Sequence, residues 1–357
     1  MKKNIAFYNI YKIWGGGERW QLETALYLKK RGHQVLIFTP EFGELGSRAK
    51  DHGIDVISIN WTKYSYFNLF RLIKLFFQFK KLRLDTIFFN SFMDVREVGV
   101  LSLLSKIRKR IYRVGNPTTP KNSLYMRTSI KLGVNMVNYI SDDIQKVFNN
   151  QMPFALKGKK TSLITNGVDL NTFSRLGTKL KNEIVIGNCA RLSPEKGFED
   201  FMKIAEKFKR HSSVKFLIAG DGDQKEDLIL LRDKMGLENQ VKFLGNVEDT
   251  PSFYKKLDIL LFTSKYEGSS RTIIEAFCSS LPVVCFDISS MKELVDNGVN
   301  GFKSIPFDID MISSNLIKLV ENEKMRIELG KNAREKAELK YDKVKIFKKW
   351  EKIICGD

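Results

Sequence analysis

Short apolar runs alternate with helical patterns along nearly the whole chain. Ile259-Leu260-Leu261-Phe262 and Leu281-Pro282-Val283-Val284-Cys285-Phe286 are unbroken by polar residues, the pattern of strands buried on both faces. Such runs, interleaved with helices, predict parallel sheets covered on both sides. A first series places strands near 4–9, 34–39, 55–59, 85–89, 109–114, 135–140 and 161–164, with helices over 19–31 and 94–106. A second series opens with Ile184-Val185-Ile186-Gly187 and continues near 214–219, 241–244, 258–262, 282–286 and 301–304. The polar, turn-rich stretch 166–182 between them reads as a linker. The expected class is therefore α/β: two doubly wound Rossmann-like domains, 1–170 and 171–340, facing a central cleft. A last helix within 341–357 is expected to cross back to the first domain.

A chain of 357 residues with 43% hydrophobic positions is large enough for two cores. Its four cysteines, Cys189, Cys278, Cys285 and Cys355, have no CxxC spacing, and the first three lie in apolar runs. That pattern fits reduced, mostly buried thiols of a cytoplasmic protein. His33, His52 and His211 are scattered and form no metal set. No uncharged apolar stretch reaches the length of a membrane span.

Charge changes the picture because it is unevenly shared. Through Arg175 there are 29 Lys+Arg against 12 Asp+Glu, and beyond it 31 against 29. A basic half implies nucleic acid, an anionic membrane or an anionic substrate. No nucleic-acid-binding motif accompanies the charge, so nucleic acid is not an expected partner. The segment 61–83 sets Trp61, Tyr64, Phe67, Phe70 and Phe77 among Lys63, Arg71, Lys74, Lys80, Lys81 and Arg83. A basic, aromatic helix of this kind suits a bilayer interface, or else packs on its own sheet with lysines snorkelling.

Four stretches carry candidate chemistry. Trp14-Gly15-Gly16-Gly17-Glu18 follows the first strand and opens a helix, where glycines allow close approach of backbone amides to a phosphate. Arg191 and Lys196, five apart around Pro194 in the loop after the second domain's first strand, are candidates to converge on a diphosphate. The loop at Asn246 and Val247 is a candidate wall for a base. Glu267 and Glu275 bracket Gly268, Ser269, Ser270, Arg271 and Thr272 at a predicted strand-to-helix turn. A helix N-terminus beside a strand end binds anions, and an acid on either side of it can hold hydroxyls. Asp221-Gly222-Asp223 sits at another such turn, where helix capping is expected rather than metal binding.

The order and spacing of these stretches resemble glycosyltransferase family 4, over essentially the whole chain. The resemblance rests on Gly15-Gly16-Gly17-Glu18, Asn166-Gly167-Val168-Asp169, Ala190-Arg191-Leu192, Glu195-Lys196-Gly197, Gly220-Asp221-Gly222, Phe243-Leu244-Gly245, and Glu267 with Glu275. It implies the GT-B fold and a retaining, metal-independent sugar transfer that needs no cofactor. It assigns Arg191 and Lys196 to the donor diphosphate, and Glu267 to the transferred sugar. The amides from Gly268 to Thr272 would hold sugar and phosphate, Glu275 the ribose, and Asn246 and Val247 would face the base. Gly16 and Gly17 would close over the phosphates. Three departures stand out. Asn116 lies where many members have a histidine near the sugar. Ser269-Ser270-Arg271 replaces the common Phe-Gly-Leu, which bears on donor identity. Ser279-Ser280 replaces a small residue plus glycine, expected to alter only a turn.

The expected function is transfer of a hexose or N-acetylhexosamine from a UDP- or GDP-type sugar to a lipid-linked or glycan acceptor. The setting would be cell-surface polysaccharide assembly, cytoplasmic or peripheral on the inner face of the membrane, with an anionic membrane surface as partner. The alternative is a catalytically silent subunit of the same fold. Retention of Arg191, Lys196, Glu267 and Glu275 together favours the enzyme.

Overall fold

The computed structural model describes residues 1–60, 62, 68–115, 124–173 and 183–356. Asn116, and Trp61, Lys63, Tyr64 and Phe67 of the basic aromatic segment, lie outside the described residues. The chain divides into two compact units. One joins Met1–Asn166 to Lys345–Asp357, and the other is Gly167–Val344.

The first unit carries strands β1 (Asn4–Tyr8), β2 (Gln34–Pro40), β3 (Asp55–Ile59), β4 (Thr86–Phe89), β5 (Lys109–Val114), β6 (Met136–Tyr139) and β7 (Lys160–Leu163). They form a parallel sheet in the order β3-β2-β1-β4-β5-β6-β7. Its helices are α1 (Gly16–Lys30), α2 (Glu44–Asp51), α3 (Leu69–Lys81), α4 (Phe92–Leu104), α5 (Leu124–Gly133), α6 (Asp142–Gln151) and α7 (Pro153–Leu156). Because both faces of a parallel sheet are covered, its strands are apolar throughout: β1 and β4 are buried almost end to end. One face packs α3, α4, α5 and α6 through Leu75, Phe79, Val98, Ile130 and Phe148. The other packs α1 and the chain's last helix, where Trp350 meets Trp20 and Phe88 at 5.3 and 5.4 Å between ring centroids.

The second unit carries β8 (Ile184–Cys189), β9 (Val214–Ala219), β10 (Val241–Phe243), β11 (Ile259–Phe262), β12 (Val283–Phe286) and β13 (Gly301–Ser304). These are parallel in the order β10-β9-β8-β11-β12-β13. Helices α8 (Phe198–Lys207), α9 (Lys225–Lys234), α10 (Thr250–Lys256), α11 (Arg271–Cys278), α12 (Met291–Leu294), α13 (Ile309–Glu321) and α14 (Glu323–Lys340) cover it. The last helix, α15 (Lys343–Cys355), belongs from Lys345 onward to the first unit. In each sheet the first strand of the unit is central, and the connections leave it to opposite sides. That reversal opens a crevice at the strand carboxyl ends, between β1 and β4 in one unit and β8 and β11 in the other.

Both series of predicted strands are present, displaced by at most two residues at their ends. Cys278 and Cys285 are buried as expected, whereas Cys189, at the end of β8, is half-buried. Among the described residues no helix is long and apolar enough to cross a membrane.

Candidate active site

The loops leaving β8 and β11 are laced together at the second unit's crevice. After β8 the chain makes a 3-10 turn, Pro194–Lys196, closed by Gly197 at φ +66°. A Cβ on Gly197 would lie 2.1 Å from the carbonyl oxygen of Thr263, just past β11, so only glycine lets the loops approach this closely. The Lys265 amide donates to the Glu195 carbonyl at 2.8 Å, and Thr263 Oγ1 donates to the Lys196 carbonyl at 3.4 Å.

This backbone scaffold sets Lys196 against Glu267. Lys196 Nζ lies 2.6 Å from Glu267 Oε1, with the two side chains 21% and 15% exposed. Ser264 Oγ donates to the same carboxylate oxygen at 3.1 Å. Arg191 does not join them. Its Nη2 pairs with Glu195 Oε1 at 2.9 Å, and at 65% its side chain is the more exposed cation. Ser193 Oγ also donates to Glu195 Oε1, at 2.7 Å. Partial burial would raise the Glu195 pKa, but hydrogen bonds from Ser193 and Arg191 overcome it and bring it down to about 2. The two cations thus each hold their own acid in this structure.

Beyond Glu267, Gly268 and Ser269 precede the helix rather than forming its first turn. Ser270 is the N-cap of α11, buried, its Oγ accepting from the Ile273 amide at 3.3 Å. Arg271 and Thr272 open the helix, whose first-turn amides have no acceptor within it. Arg271 Nε donates to Glu275 Oε1 at 2.9 Å, with side chains only 16% and 6% exposed. Thr272 ties α11 to β8, its Oγ1 donating to the Cys189 carbonyl at 3.1 Å. Tyr254 Oη donates to the Thr272 carbonyl at 3.3 Å, and burial, with the nearby Glu275 charge, pushes its pKa well up.

Asn246 is exposed and Val247 half-buried, directly after β10; the preceding Gly245 carbonyl accepts from the Gly220 amide at 2.7 Å. Asp221 does not cap α9, whose N-cap is Gln224. It accepts from the Gly222 amide and from Lys225 Nζ, each at 2.8 Å. Ser264, Tyr254 and Glu195 are the neighbours for which sequence reading assigned no role. Ser264 has a local signal, three residues before Glu267 at a strand end; Tyr254 has none.

In the first unit, Gly16 and Gly17 form the first turn of α1, with Gly15 as N-cap. A polar cluster missed from sequence lies at the β1/β4 crevice. Asn9 Nδ2 donates to Glu18 Oε1 at 2.9 Å and to Gln21 Oε1 at 2.8 Å. Arg113, 2% exposed, donates to Asn90 Oδ1 at 3.4 Å and to Asn166 Oδ1 at 2.6 Å, and its guanidinium stacks 4.2 Å from the Trp20 ring centroid. Burial lowers its pKa to about 9 against the opposing effect of Glu18. The readable signal is an asparagine directly after each of the apolar strands β1 and β4.

Two family models divide the chain at its linker: Glycosyltransferase Family 4 matches residues 14–172, and Glycosyl transferases group 1 matches 172–336. The chain belongs to glycosyltransferase family 4. This family 4 chain is 29% identical over 172 residues to the poly(ribitol-phosphate) alpha-N-acetylglucosaminyltransferase of Staphylococcus aureus, 48% of the chain and 35% of the relative. It is 30% identical over 192 residues to an Escherichia coli UDP-Gal:alpha-D-GlcNAc-diphosphoundecaprenol alpha-1,3-galactosyltransferase, 50% of the chain and 49% of the relative. The chain therefore spans about a third and about half the length of these curated relatives. Among solved structures, Anabaena HepE in complex with UDP matches with a TM-score of 0.86 at 22% identity, over 99% of each chain. The two parallel-sheet units are those of the GT-B fold.

Proposed function

We propose that this family 4 chain transfers a hexose or N-acetylhexosamine from a nucleoside diphosphate sugar to a hydroxyl of a lipid-linked or glycan acceptor. The observation that carries the reading is the Lys196–Glu267 pair, 2.6 Å apart at the β8/β11 crevice beside the start of α11. A cation, a carboxylate and a helix N-terminus at a topological switch point offer a diphosphate its charge partners and a sugar its hydrogen-bond acceptor. On binding, Lys196 would turn from Glu267 to the diphosphate and stabilise the charge that grows as the anomeric C–O bond breaks. Glu267 would then accept from sugar hydroxyls, and Glu275, held by Arg271, from the ribose. Arg191 is the second phosphate ligand, and Asn246 and Val247 border the base.

A UDP-type donor is supported by the UDP carried by HepE and by the UDP-sugar in the Escherichia coli relative's name, and a polyprenyl-diphosphate acceptor by that same name. Transfer proceeds with retention and without metal, the acceptor's proton passing to a donor phosphate oxygen. The protein works in surface polysaccharide assembly, cytoplasmic and peripheral on the membrane's inner face. A panel of UDP- and GDP-sugars, scored for slow release of nucleoside diphosphate, tests the reading: at least one should turn over. Release from none would favour a silent, nucleotide-sugar-binding subunit. Addition of EDTA should leave turnover unchanged, and a product of inverted configuration by NMR would contradict the proposed course.

A further inference from the structure

The apolar and basic pattern of 69–83 extends, in the structure, over a surface of three helices. α4 packs against both α3 and α5 on one face of the first unit's sheet. α4 and α5 cross so closely that a Cβ on Gly133 would lie 2.7 Å from the Gly99 Cα, which makes them one rigid layer.

α3 sends only Leu75 and Phe79 deep into the core, while Phe70, Leu69 and Phe77 stand 88%, 67% and 63% exposed. Lys74 and Lys81 fall on the same outward stripe as Phe70 and Phe77 by the 3.6-residue period. α5 adds Leu124, 81% exposed, with Tyr125, Lys131 and Leu132 beside it, and α4 adds Leu104. α3 and α5 contain no acid, and the two acids of α4 are buried. Asp94 caps α4 and Glu97 pairs with Arg71 of α3. The outward surface of all three helices is therefore apolar and cationic, with no carboxylate.

We propose that this surface seats the first unit on an anionic lipid bilayer. The phenylalanine and leucine side chains enter the headgroup boundary while the lysines meet lipid phosphates. A second copy of the chain fits the surface poorly, because pairing would oppose two cationic faces that hold no acid. Residues 1–166 and 345–357 contain 32 Lys+Arg against 13 Asp+Glu, and 167–344 contain 28 of each. The formal net charge of +19 thus lies entirely on the unit that bears this surface. A nucleic acid would use the lysines but not the outward leucines and phenylalanines.

The proposal draws on the lipid-linked acceptor reading only for its biological sense, and its test is separate. The full chain is sedimented with vesicles of phosphatidylcholine alone, or of equal parts phosphatidylcholine and phosphatidylglycerol. Binding is expected only to the second, weakening as salt is raised. Phe70→Ser/Phe77→Ser and Lys74→Glu/Lys81→Glu should each lower the partition roughly tenfold. Both variants should melt like wild type and release nucleoside diphosphate from a donor in solution at the wild-type rate. The proposal is overturned by equal binding to both vesicles, by no binding, or by serine variants that bind like wild type. A dimer dissociated by the same substitutions, or duplex DNA binding that they abolish, would overturn it as well. Vesicle binding as expected without any donor turnover would support the surface and contradict the transferase reading alone.

Discussion

Lys196 and Glu267 neutralise one another in a half-buried crevice, and on the proposed function a donor separates them. Lys196→Ala leaves the leaving diphosphate without its charge partner and should lower kcat for donor turnover about 100-fold, more than it raises KM. Arg271 holds Glu275 at 2.9 Å, with both side chains largely buried. On the proposed assignment of Glu275 to the ribose, Arg271→Ala should raise the donor KM roughly tenfold while changing kcat less, because it frees that carboxylate. A KM unchanged in that variant would remove Arg271 from the site. These pairs differ in how readable they are. Arg271 and Glu275 are four apart on one helix, so their contact follows from the helical period once the helix is known to start at Arg271. Lys196 and Glu267 are 71 residues apart and meet only because β8 and β11 are sheet neighbours. Ser280 shows the opposite case, where a turn looked neutral from sequence. It sits at φ +55°, the left-handed region in which a Cβ is strained. Ser280→Gly should stabilise the second unit by about 1 kcal/mol, net of glycine's greater chain entropy, and raise its Tm by about 3 °C in a calorimetric scan.

At the scale of elements, the strands are legible because parallel strands buried on both faces are nearly continuous apolar runs. Connections between distant elements are not. Asp94 is readable as the third residue of a capping box with Ser91. Nothing in the sequence reveals that its carboxylate also accepts from the Ile10 amide after β1, 84 residues away, and from the Asn90 amide after β4. Asp94→Ala leaves these buried donors unmet and should cost about 3 kcal/mol of first-unit stability, read by urea unfolding. Burial raises the Asp94 pKa from 3.8 to about 8, against the hydrogen bonds from Ser91, Asn90 and Ile10. Its folded value is thus above its unfolded one, and the folded state holds the proton more tightly. The stabilising contribution is complete below about pH 4 and is lost as pH rises through about 8. The difference in stability between wild type and Asp94→Asn should shrink in that direction, and a difference independent of pH would refute this.

On the scale of the molecule, the two units divide the chemistry and the charge. The second is neutral overall and sets Lys196 against Glu267 at the β8/β11 crevice, with α11 starting just beyond Glu267. All of the net positive charge lies on the first, along with the acid-free surface of α3, α4 and α5. The charge asymmetry is legible in the sequence, with its change near Arg175. The compact units sharpen it, because α15 returns four lysines to the first unit. On the proposed function and surface, donor handling and membrane attachment are separable by substitution, one set in each unit. The direct measurement for the central claim is release of nucleoside diphosphate by the full chain from the best sugar of a UDP and GDP panel. It is run for wild type, Lys196→Ala and Glu267→Ala, with each variant's fold checked by its melting curve. Turnover by wild type and loss of about 100-fold in both folded variants is the predicted result. Folded variants that turn the donor over at the wild-type rate would contradict the account, because the β8/β11 crevice would then not be where the donor reacts.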